Sequence, residues 1–395
     1  MTFGQIAGVV INLFLYPYLI RILGKEVYGT YVFIFSNIQF FVLFVAAGFA
    51  MPALKKISLN ADNLQIKSQT VSEVFTAKFI LMSFCGLLLA LLTVLIPFVQ
   101  ENAILYLIIF TMSIGDMFFP QWYFQGMQRM KFVTYVNLSV RLLVVPAVFI
   151  FVKTSADLLE YTLIASVLPF LGSVFSFIYL IVKDKIHIYF VPFKMLKPVF
   201  LDSFPFFWTT AFSKIKGESV KFFIGIFLGM DNVAVYDLAN KIIYILYTFI
   251  GSINMAIFPK MIKDINQERI KRIFRHETLI GLSIVAFVFA FGYWMVLILG
   301  GKAMIDAYPL TAILSITIFT SLIVTCYTFF IFVPQNRYYL VTKTQIVSFV
   351  SFFVFAAIGL LIYKGILTFV VVFTLSNVAE VVFCWQVTKK YRLLI

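Results

Sequence analysis

The residues with the clearest capacity for chemistry lie in Ser213–Lys221, a charged segment inside an otherwise apolar stretch. Its apolar flanks, Pro198–Phe212 and Phe222–Met230, are each too short to cross a bilayer alone. The sequence therefore predicts one long, bent helix over 199–228, with three lysines and one glutamate near its middle. Because charges inside hydrocarbon are costly, they predict a watery cavity that attracts anions.

A helical period of about 100° per residue defines the face of this helix that carries most of its polar side chains. The members of this face are Ser203, Thr210, Lys214, Glu218 and Lys221. The spacing predicts that Glu218 pairs with Lys214 and Lys221, and with Lys216 included the segment keeps a net charge of +2. The alternative is that these side chains reach the membrane surface or pair among themselves and bind nothing.

Other ionisable residues inside predicted spans are weaker candidates for function. Arg141, in the fifth span, is assigned to substrate binding or to helix packing. Asp116 and Glu380, in the fourth and twelfth spans, are candidate proton- or cation-responsive carboxylates. Asp237, at the start of the eighth span, is a third ion-coupling candidate and is spaced to pair with Lys241 near the surface.

The composition indicates that most of the chain lies in a lipid bilayer. The chain has 395 residues, of which 62% are hydrophobic and 12% charged, whereas soluble domains are about 45–50% apolar and about 25% charged. A soluble enzyme is therefore excluded. The net charge of +14 could indicate binding of nucleic acid. In a membrane protein, however, an excess of Lys and Arg first indicates which loops face the cytoplasm.

The apolar segments predict about twelve transmembrane helices joined by short connections, because each is close to the 20 residues that a bilayer requires. The predicted spans are 2–23, 31–53, 76–99, 103–124, 133–152, 159–182, 199–228, 234–258, 279–300, 308–333, 345–363 and 366–388. The first is too long for a signal peptide. The longest polar stretches, 55–75, 183–197 and 260–278, are predicted loops.

The basic residues divide unequally between the two sides of this arrangement. One set of helix ends carries about twenty Lys and Arg residues and the other about five, so the positive-inside rule places both termini in the cytoplasm. Most of the net charge is thus a topology signal, with contact to anionic lipids as a secondary effect. No nucleic-acid partner is predicted.

An internal repeat divides the chain into two halves. Leu23–Tyr31 (LGKEVYGTY) aligns without gaps with Leu228–Tyr236 (LGMDNVAVY) at a spacing of 205 residues, and each segment follows the first helix of a six-helix set. Because six is an even number of spans, each half begins and ends on the same side of the membrane. The halves, 1–190 and 191–395, are therefore predicted to be parallel repeats. Bundles of this kind commonly hold a substrate site between the lobes, so the repeat favours a transporter.

The sequence lacks the motifs of catalysis and metal binding. Its three cysteines form no CxxC or Cys/His cluster, and both histidines, His187 and His276, fall in predicted basic loops. No phosphate-binding GxxxxGK[ST] loop, HExxH or GxSxG motif occurs. No enzyme, metal or cofactor is therefore predicted.

Two segments resemble the polysaccharide biosynthesis protein family, the flippases for O-antigen and related repeat units. They are Pro17–Gly29 and Phe118–Lys131, the latter containing PQWYFQG and followed by Arg141. That family is grouped with the multidrug and toxic-compound extrusion exporters and the peptidoglycan-precursor flippases. Members usually carry a short cytoplasmic leader, so we expect either a start upstream of Met1 or a first helix that begins at the membrane surface.

The resemblance implies a substrate and a place of action. It implies that an oligosaccharide on a polyprenyl diphosphate moves from the cytoplasmic to the external leaflet of a bacterial inner membrane, with a polymerase and chain-length machinery as partners. In this scheme Lys214, Lys216 and Lys221 attract the diphosphate, Glu218 orients them, and Arg141 assists. The alternatives are a peptidoglycan or teichoic-type precursor flippase, or a multidrug exporter, although an exporter of cations should have a net acidic cavity.

Overall fold

The computed structural model describes residues 2–262 and 267–393, and no β-strand occurs within these ranges. The helices are α1 (Thr2–Ala46), α2 (Ala50–Leu59), α3 (Leu64–Leu95), α4 (Pro97–Glu101), α5 (Ala103–Phe118), α6 (Gln121–Gly126), α7 (Met130–Phe151), α8 (Leu158–Lys183), α9 (Phe193–Leu228), α10 (Met230–Ile262), α11 (Gln267–Gly300), α12 (Ala307–Tyr327), α13 (Tyr338–Ile362) and α14 (Ile366–Lys390). The predicted all-α membrane architecture is confirmed.

The helix α1 consists of two helices joined at Gly24, where the backbone leaves the helical region with φ 78° and ψ 170°. These two helices correspond to the first two predicted spans. In the described ranges, ten segments are long and apolar enough to cross a membrane. The difference from twelve has two sources: α1 contributes the single segment Leu15–Ala46 to this count, and α9 is not among the ten.

The seventh predicted span is continuous, since α9 runs unbroken for 36 residues across its charged middle, with Pro198 and Pro205 inside the helix.

Two of the predicted loops are partly helical. The stretch 55–75 contains the end of α2 and the start of α3, where Asn63 caps α3 by accepting the N–H of Ile66 at 3.1 Å. The stretch 260–278 contains the start of α11, so the prediction that His276 lies in a loop is wrong.

The remaining polar stretch, 183–197, is partly extended and lies along α3. Three buried hydroxyls of α3 face it: Ser68 accepts the N–H of His187, Ser72 accepts that of Tyr189, and Thr76 accepts that of Val191, each at 3.2 Å. These bonds satisfy backbone donors that no sheet or helix would otherwise pair. His187 is thus in a loop, as predicted.

Large apolar side chains cover much of the helix surface. Leu87 on α3 is 73% exposed, Val94 77% and Leu361 on α13 88%. Exposed apolar surface on this scale is unfavourable in water but suits helices in contact with acyl chains. The chain is therefore a multi-pass membrane protein.

The chain divides into two compact units. One comprises the chain through Leu15 together with Thr30–Glu218, and the other comprises Tyr16–Gly29 together with the chain from Ser219. The segment around Gly24 is thus grouped with the second unit, and the boundary within α9 falls inside its charged middle.

Candidate functional site

A buried ionic cluster in the second unit surrounds Asp237. Its side chain, on α10, is 4% exposed and lies between two lysines, Lys241 at 2.5 Å on the same helix and Lys221 of α9 at 4.0 Å. Tyr28 of α1 donates its hydroxyl proton to the same carboxylate at 2.8 Å. The Asp237–Lys241 pair predicted from the i,i+4 spacing is present, and the Lys241 side chain is 23% exposed.

Aromatic rings complete this cluster. The Lys241 ammonium group lies 2.5 Å from the Tyr28 hydroxyl oxygen and 3.7 Å above the centre of the Tyr16 ring. A cation over an aromatic face is stabilised by the ring quadrupole, most strongly where water is excluded. Sequence reasoning missed both tyrosines, although Tyr28 belongs to the repeated motif that it had identified.

The turn at Gly24 positions Tyr28. After the turn, Gly29 packs so closely on the backbone carbonyl of Met230 that a Cβ would not fit. Two further contacts hold the turn to the second unit: Arg21 donates to the Ile298 carbonyl at 3.1 Å, and Lys25 faces Asp306 at 3.5 Å. The Leu23–Tyr31 motif therefore has a structural role: its turn at Gly24 places Tyr28 of α1 beside Asp237 of α10.

The lysines predicted to attract an anion differ in their surroundings. Lys216 and Lys221 are buried, at 6% and 8% exposure, whereas Lys214 is exposed and donates to the Gln39 side chain at 3.4 Å. Glu218 is half-buried, and Lys221 faces Asp237. The assignment of these four residues to substrate remains a prediction.

Arg141, on α7, is half-buried, and its guanidinium lies against Gly8 of α1 within the first unit. The contact is so close that a Cβ on Gly8 would overlap the guanidinium. A glycine at residue 8 is therefore required for the Arg141 guanidinium to lie where it does. Its predicted role with substrate stays open.

The other two candidate carboxylates have different partners. Asp116 accepts from the buried Lys78 ammonium at 2.7 Å, and the same ammonium donates to the Asp116 backbone carbonyl at 2.8 Å. Glu380, 6% exposed, accepts from the neutral Gln345 amide at 2.9 Å. Protonation of Asp116 would therefore remove the anionic partner of a buried cation.

The PQWYFQG segment consists of Pro120, which precedes α6, and the whole of the short helix α6. Trp122, Tyr123 and Phe124 are buried, and Gly126 lies against Ile57 of α2. Arg129, just after α6, donates to Asp184 at 2.5 Å, and this hydrogen bond raises the pKa of the guanidinium. The segment fixes the join between α6, α7 and the end of α8, and nothing in its contacts assigns it to substrate.

Within the described residues, no group of three or more His, Cys, Asp or Glu side chains could hold a metal ion. The chemistry available is that of lysine, arginine, tyrosine and carboxylate side chains buried inside apolar helices. Such groups mark pathways for substrates or ions in membrane proteins. In a fold of many membrane-spanning helices, they indicate the class of multi-helix membrane transporters.

The chain belongs to the polysaccharide biosynthesis protein family, whose model matches residues 1–264. Two relatives carry the name "Putative O-antigen transporter". The protein of Escherichia coli (strain K12) is 24% identical over 302 residues, which cover 76% of this chain and 72% of the relative. The protein of Shigella dysenteriae is 26% identical over 252 residues, 62% of each chain.

Solved structures with the same fold are transporters of the MOP superfamily. An inward-facing multidrug resistance MATE family transporter matches with a TM-score of 0.70 at 14% identity, covering 98% of both chains. A MOP superfamily transporter from Pyrococcus furiosus Vc1, whose binding pocket is described as having reverse polarity, matches with a TM-score of 0.62 at 16% identity, covering 100% of this chain and 95% of that one. The predicted likeness to multidrug and toxic-compound extrusion exporters is confirmed at the level of the fold.

Proposed function

We propose that the protein is a flippase that moves a polyprenyl-diphosphate-linked oligosaccharide, an O-antigen or other surface polysaccharide repeat unit, from the cytoplasmic to the external leaflet of a bacterial inner membrane. Family membership and the two relatives named for O-antigen transport support this proposal. The transport follows alternating access of two repeats. A polysaccharide polymerase and chain-length machinery would receive the product.

The observation that carries the proposal is the excess of cationic groups in the middle of α9. Lys216 and Lys221 are buried in a helix that runs without interruption through this segment. A diphosphate headgroup needs charged hydrogen-bond donors to replace the water that it loses in hydrocarbon. Lysines 214, 216 and 221 supply them, Glu218 orients them, and Arg141 adds a fourth donor group.

The orientation and the energy source form part of the proposal. The excess of Lys and Arg at one set of helix ends supports a topology with both termini in the cytoplasm. An ion or proton gradient drives the cycle, with Glu380, Asp116 and Asp237 as the candidate coupling carboxylates. Of these, Glu380 is buried and accepts a hydrogen bond from the Gln345 amide.

The test is deletion of the gene in its own host and rescue from a plasmid. Deletion should abolish surface polymer and accumulate lipid-linked oligosaccharide, and the wild-type gene should reverse both effects. The triple variant Lys214→Ala/Lys216→Ala/Lys221→Ala should fail to rescue at equal protein abundance. A matched triple variant, Lys183→Ala/Lys194→Ala/Lys197→Ala, removes three exposed lysines outside this segment and should rescue fully.

The same experiment separates the alternatives. Normal polymer but increased sensitivity to drugs after deletion would identify an exporter of the kind whose structures share the fold. Lysis on depletion, with accumulated peptidoglycan or teichoic-type precursor, would identify that precursor as the substrate. Full rescue by the α9 triple variant would show that these lysines do not bind the diphosphate.

A further inference from the structure

A cavity of about 530 Å³ lies in the first unit, where α2, the start of α3 and the start of α9 meet. This volume is within the range of sites for small ligands. Its lining includes the apolar side chains of Phe49, Val74 and Phe206. Beside them, Met51 and Leu59 also line the cavity and are 59% and 73% exposed, so apolar surface continues outward from it.

Three charged side chains line this cavity, and one of them is already neutralised. Lys56 forms an ion pair with Glu73 at 2.9 Å, and Glu73 also accepts from Gln69 at 2.7 Å. Lys55 and Asp202 are both exposed, and in the described part of the chain neither has an ionic or hydrogen-bonding partner. The cavity therefore presents one available ammonium and one available carboxylate.

The remaining polar side chains of the lining have partners within the protein. The Ser203 hydroxyl donates to the Val199 carbonyl at 2.8 Å, that of Thr70 to the Ile66 carbonyl at 2.7 Å, and the Asn60 amide to the Lys56 carbonyl at 2.9 Å. The open hydrogen-bonding capacity is thus concentrated at Lys55 and Asp202, which are of opposite charge. A zwitterionic ligand, with an anionic group for Lys55 and a cationic donor for Asp202, matches both charges.

We propose that this cavity binds the headgroup of a membrane phospholipid of the phosphoethanolamine type. Lys55 donates to the phosphate, Asp202 accepts from the primary ammonium, and the acyl chains extend along Met51 and Leu59. An anionic headgroup would bring a second negative charge to Asp202 without a compensating ammonium. A choline headgroup carries a positive charge but has no N–H to donate.

The site is distinct from the lysines assigned to the transported substrate, and the proposal does not depend on what is transported. Lys55 lies on the ten-residue helix α2, and Asp202 is the tenth residue of α9, close to the start of the apolar part of that helix. Charged side chains at helix ends reach the headgroup layer of a bilayer, where such a lipid is available. The lipid would hold the start of α9 against α2.

Native mass spectrometry of the full-length protein tests this assignment. The protein, purified in detergent, is mixed with equal amounts of phosphatidylethanolamine, phosphatidylcholine and phosphatidylglycerol of identical acyl chains. We expect preferential retention of phosphatidylethanolamine by the wild type. Asp202→Asn should reduce that retention roughly fivefold while sparing phosphatidylcholine, and Lys55→Gln should reduce both, because both carry the phosphate.

Matched controls change the same charges elsewhere. Asp62→Asn and Lys183→Gln alter exposed residues outside the cavity lining and should retain lipid as the wild type does. Because Lys55 and Asp202 are exposed, their variants should elute as the wild type in size-exclusion chromatography. Equal retention by Asp202→Asn and Asp62→Asn, or a preference of the wild type for phosphatidylglycerol, would overturn the proposal.

Discussion

Gly24 and Gly229, which align in the internal sequence repeat, both have a positive φ, of 78° and 85°. Gly24 joins the two helices of α1, and Gly229 separates α9 from α10. The residues that follow them differ, Lys25 in one half and Met230 in the other. The positive φ, and not the residue that follows the glycine, is therefore what the two turns have in common.

Replacing either glycine with alanine should destabilise the protein through backbone strain. No atom lies within 4 Å of the Cβ that Gly24→Ala or Gly229→Ala would add, so steric overlap does not contribute. A side chain in such a sparsely populated backbone region costs about 1–3 kcal/mol. Thermal unfolding in detergent should show a lower apparent Tm for each variant.

Gly251→Ala is the matched control for these two variants. It also has no atom within 4 Å of the added Cβ, but it lies inside α10, where alanine is preferred to glycine by about 1 kcal/mol. Its Tm should equal or exceed that of the wild type. If all three variants melted alike, the left-handed turns would carry no special constraint.

Asp237→Asn should be among the most destabilising single substitutions in the second unit. It removes the carboxylate that faces both Lys221 and Lys241, and loss of one partner from a buried ion pair costs about 3–5 kcal/mol. The double variant Asp237→Asn/Lys241→Met should recover part of this loss, since it also removes a buried cation. Apparent Tm and the yield of monodisperse protein measure both effects.

Asp306→Asn provides the comparison at the surface. Asp306 faces Lys25 at 3.5 Å, but its side chain is 81% exposed, and exposed pairs contribute about 0–1 kcal/mol. Its Tm should stay close to that of the wild type. An equal loss for Asp306→Asn and Asp237→Asn would contradict the view that burial determines the importance of the Asp237 cluster.

The sequence predicted the helices well, because a run of about 20 apolar residues has few other stable forms in a bilayer. It also predicted that α9 is continuous, since a break near Gly217 would leave two segments too short to span. It failed at the polar stretches around Asn63 and His276, where helices continue beyond the apolar runs. Hydropathy marks the limits of the apolar segment and not those of the helix.

The candidate site was harder to predict for a different reason. Spacing along one helix revealed the Asp237–Lys241 pair, but the contributions of Lys221 and Tyr28 come from other helices. Such contacts depend on helix packing, which a single sequence does not specify. The Lys78–Asp116 pair likewise joins two different helices, α3 and α5.

Gly8→Ala should impair transport through its effect on Arg141. The added methyl group would occupy the space of the guanidinium, which can move because it ends a flexible side chain. Stability should therefore change little, while rescue of surface polymer in the deletion strain should fall towards that of Arg141→Gln. If Gly8→Ala rescued fully while Arg141→Gln did not, the exact position of the guanidinium would be unimportant for transport.

Glu380→Gln should separate coupling from folding. Glutamine has the same shape and can still accept the hydrogen bond that Gln345 donates at 2.9 Å, but it cannot bind or release a proton near neutral pH. If Glu380 couples transport to a proton gradient, the variant should keep the wild-type Tm and lose the acceleration of transport that an imposed gradient produces in proteoliposomes. Asp306→Asn, an exposed change of the same charge, should respond to the gradient as the wild type does. Unchanged acceleration in Glu380→Gln would assign coupling to another group, and Asp116, paired with Lys78, would be the next candidate to test.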